Sequence, residues 1–144
     1  MFAKLLSALA APHTAPPAPG GRLALAALLV RLARADGDYA PGEAARIDKI
    51  LGQRYGLSPF ESVRLRAEAE TLEAASPDTV RFTRALKEAV PYEDRMEIMQ
   101  ALWSVALVDA TRSPDEDALI RLAANLLGIT DRDSALARQK VQQQ

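Results

Sequence analysis

The chain has no cysteine, which removes disulfides, thiolate catalysis and thiolate-held metals together and leaves no mark of an oxidising compartment. Its single histidine, His13, sits among prolines, so a histidine base has no place in a folded core beside a serine nucleophile. Aromatic residues make up only 5% of the chain, too few to line a sugar-binding cleft around paired carboxylates. Neither sign of charge dominates: 18 Lys and Arg are scattered among 19 Asp and Glu, whereas a nucleic-acid surface needs a basic stripe that releases counterions. A phosphate-cradling loop is missing too, because Gly20-Gly21 follows no strand pattern and leads to no lysine–serine pair. Apolar runs are short; the nearest approach to a membrane span, Leu23 to Leu32, is interrupted by Arg31 and falls well below the roughly 20 residues required. These absences predict a cytoplasmic, non-enzymatic protein that neither binds nucleic acid nor crosses a membrane.

What is present is enough for one core: 144 residues, 49% of them hydrophobic. The start, with Lys4, an apolar stretch from Leu5 to Ala11 and an Ala8-x-Ala10 ending, has the outline of a signal peptide but an apolar region at the short limit. Phe2, Leu5, Leu6 and Leu9 lie at helical spacing, so residues 1–10 could form a short amphipathic helix that docks on the domain or a partner or makes weak peripheral contact with a membrane. Pro12, Pro16, Pro17, Pro19, Gly20 and Gly21 then make a linker that cannot pack. Residues 1–21 thus form an appendage, and 22–141 the folded domain.

Within that domain the apolar spacing is helical throughout, and no segment alternates with a period of two. Leu23 to Val30 is apolar almost all round and predicts a central helix ending near Ala35. Pro41 opens a second helix up to Gly56, and Ser58-Pro59-Phe60-Glu61 has the form of a capping box that starts a third towards Ala75. Ser76-Pro77 predicts the start of a fourth, with Phe82, Leu86 and Ala89 inward. Pro91 introduces a fifth, nearly all apolar from Ala101 to Val108 and again central, with Trp103 a packing residue. Ser113-Pro114-Asp115-Glu116 is a second capping box, leading a sixth helix closed by Gly128, and Thr130 and Asp133 cap a short seventh. The expected fold is all-α, a single compact bundle of about seven helices. Arg64, Arg66, Arg81 and Arg84, interleaved with Glu61, Glu68, Glu70 and Glu73, predict a solvated, charge-laced face.

The first and second helices match the fifth and sixth: Asp36, Pro41, Glu43 and Ile47 correspond at one offset to Asp109, Pro114, Glu116 and Ile120, each copy reading Asp-x4-Pro-x-Glu. After a one-residue slip, Gly56-Leu57-Ser58 answers Gly128-Ile129-Thr130. Two pseudo-symmetric helical hairpins follow from that repeat. Glu43 and Glu116 fall in a first helical turn, where the dipole welcomes a carboxylate. Asp36 and Asp109 stand where a helix ends, where a carboxylate is disfavoured by about 0.3–1 kcal/mol. Two readings account for that placement. Either each aspartate starts a turn by accepting a backbone N–H two residues on, or the hairpins face each other and the four carboxylates converge on a divalent cation. Such a site is not an EF-hand, since Glu43 arrives at position 8 of a loop that needs its glutamate at 12. All-oxygen donors select calcium, magnesium or manganese over zinc.

The run Leu28-Leu29-Val30-Arg31-Leu32-Ala33-Arg34-Ala35-Asp36-Gly37-Asp38 with Glu43, and later Val108-Asp109, Glu116 and Leu126-Leu127-Gly128-Ile129, resembles the tellurite-resistance TerB-like family from about Leu23 to Val141. The resemblance implies a helical bundle whose clustered acids, here Asp36, Glu43, Asp109 and Glu116, bind metal, and an association with stress response. Similar domains occur at the N-terminus of a membrane-anchored DnaJ-type co-chaperone, which implies the alternative of a protein-interaction module. The second copy departs from the family pattern: Ala110 replaces the usual glycine, and Arg112 is placed to neutralise Asp109.

Overall fold

A computed structural model describes residues 19–108 and 113–144. Residues 1–18, with the expected amphipathic segment and most of the linker, and Asp109 to Arg112 lie outside the described residues. Among those described there are seven α-helices and no strand: α1 (Gly21–Arg34), α2 (Pro41–Tyr55), α3 (Pro59–Ala75), α4 (Val80–Ala89), α5 (Arg95–Ala106), α6 (Pro114–Leu127) and α7 (Asp131–Gln142), with a 3-10 turn at Tyr92–Asp94 before α5. The all-α bundle expected from the apolar spacing is therefore the fold.

Helix α1 is the axis of the bundle. Ala24 through Val30, Leu32 and Ala33 are all fully buried, and the helix packs against α2, α3, α4, α5 and α6. Its alternation of alanine and leucine explains this: Ala24, Ala26, Ala27 and Ala33 let neighbouring backbones approach, while the leucines fill the spaces between. Helix α5 is the second buried helix, through Ile98, Met99, Leu102, Val105 and Ala106. It carries Trp103, whose Nε1 donates to Ser134 Oγ on α7 at 3.2 Å, so the indole is a packing residue with its one polar atom satisfied. No helix among the described residues is long and apolar enough to cross a membrane.

The sequence signals for helix ends hold at most boundaries. Ser58, Ser113 and Thr130 each accept the backbone N–H of the third residue of their helix. Gly56 and Gly128 close α2 and α6 in the left-handed conformation, at φ 63° and 75°. In both, the following residue's N–H reaches back into the last turn, Leu57 to the Gly52 carbonyl and Ile129 to that of Ala124. Two boundaries differ. Ser76-Pro77 does not start α4; Ser76 closes α3, its N–H bonding the Glu73 carbonyl and its hydroxyl the Leu72 carbonyl, and α4 begins at Val80. Proline is as frequent just after a helix as at its first position, so the dipeptide alone does not choose between them. Pro91 likewise leads into the 3-10 turn, one turn ahead of α5.

The charged face is also different from the expectation. Arg64, Glu68 and Arg84 are exposed, but Arg66, Glu70 and Glu73 are partly buried in a network that ties α3 to α1 and α2. A solvated stripe became an interhelical seam because α1 and α2 bring their own polar groups, Arg31, Arg34, Tyr39 and Asp48, against it.

Candidate functional site

The first acidic junction is the six-residue connection from Ala35 to Ala40. Asp36 Oδ1 accepts the Asp38 N–H at 2.9 Å, the turn expected of an aspartate at that point. Three residues after Asp36, Tyr39 anchors the loop: its hydroxyl donates to Glu70 Oε2 on α3 at 2.7 Å, and the Arg34 guanidinium lies 5.4 Å from its ring centre. Glu70 is held in turn by Arg66 at 2.9 Å, and Arg66 by Asp48 of α2 at 2.6 Å. Burial, followed by the bond to Glu70, pushes the Tyr39 hydroxyl up to about 12, so it stays a donor across the physiological range. The bond to Asp48 raises Arg66 further above its ordinary value and keeps it charged.

At the start of α2, the Glu43 carboxylate accepts the Ala40 N–H at 3.0 Å. Alanine offers no side-chain oxygen in return, so this is half of a capping box. At the start of α6 the box is complete: Ser113 N–H donates to Glu116 Oε1 at 3.4 Å, and Glu116 N–H to Ser113 Oγ at 3.1 Å. Both glutamates therefore have the local role that their position in the sequence indicates. Both are also buried, Glu43 at 4% and Glu116 at 1% exposure. A third glutamate supplies a control. Glu61 closes the same kind of box with Ser58 at the start of α3, through bonds of 2.9 and 3.2 Å, and is fully exposed. The Ser58 hydrogen bonds hold its carboxyl below the usual range without any burial. Capping therefore does not require the burial seen at Glu43 and Glu116.

The two junctions are neighbours. A Cβ placed on Gly42, the residue before Glu43, would lie 3.5 Å from Val108 Cγ1, and Val108 immediately precedes Asp109. Helix α2 packs on α5 and α1 on α6, so each hairpin meets the other. Asp109 itself lies outside the described residues. Among the described residues no group of three or more His, Cys, Asp or Glu side chains is arranged to hold a metal ion. The donor chemistry at hand is hard oxygen, and a carboxylate with about four lone-pair sites can accept several bonds at once.

Sequence reasoning missed the seam beside this junction. Arg31 had been read only as the charge that interrupts an apolar run. Its Nε donates to Glu73 Oε2 at 2.9 Å, its Nη2 to the Glu73 carbonyl at 3.1 Å and to the Ser76 carbonyl, and its Nη1 lies 3.4 Å from Thr79 Oγ1. Arg34 adds a 2.7 Å bond to the other Glu73 oxygen. The usable signal was an arginine inside a helix that is otherwise buried all round, which must find a charged partner.

An all-helical bundle with paired acidic helix junctions is the class these features define. The family model for tellurite resistance protein TerB matches residues 22–139, and the chain belongs to that family. No curated protein and no solved structure matches it.

Proposed function

We propose that this TerB-family domain is a non-catalytic binder of a divalent cation, calcium, magnesium or manganese, held between the two hairpins by Asp36, Glu43, Asp109 and Glu116, and that it serves tellurite or stress response in that capacity. The observation that carries the reading is the contrast among three capping glutamates: Glu61 caps while exposed, whereas Glu43 and Glu116, at matching positions of the repeat, cap while buried. Burial lowers the local dielectric and strengthens the pull of a carboxylate on a cation, so two buried glutamates at matching positions suit a shared ion. The approach of Gly42 to Val108 supports it, since it sets the first junction beside the residue before Asp109.

The experiment is a melting series in chelator and in each cation. If the acids converge, their repulsion weakens the empty site, so Asp36→Asn raises the melting temperature in chelator and removes the rise produced by cation, which binds only the folded form. Titration calorimetry supplies the stoichiometry. A wild-type melt that no cation moves, together with an unchanged Asp36→Asn melt, refutes the cation site. A second reading then takes its place, favoured by the local bonds already made by Asp36, Glu43 and Glu116: a protein-interaction module in which these acids are turn formers and caps.

A further inference from the structure

A groove of about 1220 Å³ runs between α2, α5 and the end of α7, and its lining includes none of Asp36, Glu43 and Glu116. Its lining combines Ile50, Leu107 and Val141, which the core covers only partly, with the polar Gln53, Gln100 and Ser104. Its α2 wall carries Arg46, Lys49 and Arg54, set against the single carboxylate Glu97. Arg46 and Lys49 are exposed and make no ion pair among the described residues, while Arg54 binds Glu97 at 3.2 Å and keeps a buried Nε with no acceptor. The groove thus has positive local charge on a chain whose net charge is -1.

We infer that this groove is a docking site for an acidic amphipathic segment of a partner protein, its apolar side chains on Ile50, Leu107 and Val141 and its carboxylates on Arg46, Lys49 and Arg54. Charge complementarity selects that occupant. Residues 1–18 of the chain carry Lys4 and no acid, so they bring the wrong sign. Nucleic acid needs a longer basic track than three side chains with one neutralised. The volume exceeds the roughly 300–1,000 Å³ of a small-molecule pocket and suits a short helix whose anchors recur at i, i+3, i+4 and i+7.

The test is selection from a display library of random linear peptides on the full chain, followed by fluorescence anisotropy with the consensus peptide. Selected sequences should be rich in Asp and Glu interspersed with Leu or Ile. Their Kd should rise at least tenfold in Arg46→Glu/Lys49→Glu and by less in Arg46→Gln/Lys49→Gln, and should rise with added NaCl. These side chains are exposed, so the variants should melt as the wild type does. Recovery of no binder, binders without acidic enrichment, or a Kd unmoved by the double reversal overturns the inference. So does binding of a single-stranded oligonucleotide or of phosphatidylserine vesicles that depends on the same residues when no peptide binds.

Discussion

Replacing Arg31 by methionine isolates the seam between α1 and α3, because methionine keeps the apolar stem and removes only the guanidinium. That group serves one carboxylate, the carbonyls of Glu73 and Ser76 at the end of α3, and the Thr79 hydroxyl, and it rests 5.0 Å from the centre of the Phe82 ring. An exposed ion pair would be worth about 0–1 kcal/mol. This pair is not exposed: the Arg31 and Glu73 side chains retain 15% and 13% of their accessible surface. Hydrogen bonds to a charged group contribute about 1.5–3 kcal/mol each. Against that, Arg34 stays bonded to Glu73 at 2.7 Å, so no orphaned charge is left behind. The expected loss is about 2–4 kcal/mol, below the 3–5 kcal/mol of a fully broken buried pair and a large share of a small domain's stability. Urea unfolding followed by far-ultraviolet ellipticity measures it, with Arg34→Met as the comparison. Arg34 is 35% exposed in its side chain and should cost less. A loss under about 1 kcal/mol for Arg31→Met, or equal losses for the two variants, would show that the seam is ordinary surface charge.

Three other outcomes follow from the helix ends and the loop anchor. Ser113→Ala removes the hydroxyl that receives Glu116 N–H and should lower stability by about 0.5–2 kcal/mol in urea titrations, cation present or not. Gly128→Ala forces a Cβ into a left-handed residue at φ 75° and should cost about 1 kcal/mol, and Gly56→Ala, at φ 63°, should lower the midpoint similarly. Tyr39 has a raised pKa, so its contribution is complete below the ordinary tyrosine value of 10.0 and is lost as pH climbs towards about 12. Across that interval wild type should lose stability relative to Tyr39→Phe, and parallel pH curves for the two would contradict the Tyr39–Glu70 bond.

Much of the fold was legible because it is encoded locally. A proline after a short polar connection, a glutamate three residues past a serine and a glycine after the last apolar position each act within one helical turn, and α2, α3, α6 and α7 begin or end where those residues fall. Central helices were legible too, since residues 24–30 of α1 and most of residues 101–106 of α5 are apolar and buried. What was not legible depends on how helices cross. Nothing near Arg66 in the sequence announces Asp48, and Glu73 meets Arg31 from 42 residues away. The groove is assembled from α2, α5 and α7, three helices that are not consecutive. Of the candidate site, sequence supplied the identities and local bonds of Asp36, Glu43 and Glu116; the burial of the two glutamates and the meeting of Gly42 with Val108 required the packed structure.

The seam and the acidic junction bear on one another through charge. Arg31 and Arg34 occupy the last turn of α1, where cations are favoured by the dipole and where they are the nearest basic residues in sequence to Asp36. Either could have neutralised that carboxylate. Instead both bond Glu73, and Arg34 also bonds the Glu70 carbonyl, so α1 spends its terminal cations on α3. Asp36 forms no salt bridge among the described residues and accepts only the short bond from Asp38. Glu70, the one acid of α3 that reaches the loop, is itself occupied by Tyr39 and Arg66. The arginines of α1 are engaged within the seam, and neither pairs with Asp36 among the described residues. A fold that needed Asp36 only to start a turn would gain by pairing it with Arg34, two residues earlier in the sequence; asparagine would start the same turn with no charge to balance. Keeping the aspartate while α1 directs its arginines to α3 is what the proposed cation site requires of this helix end, and Asp36→Asn tests it.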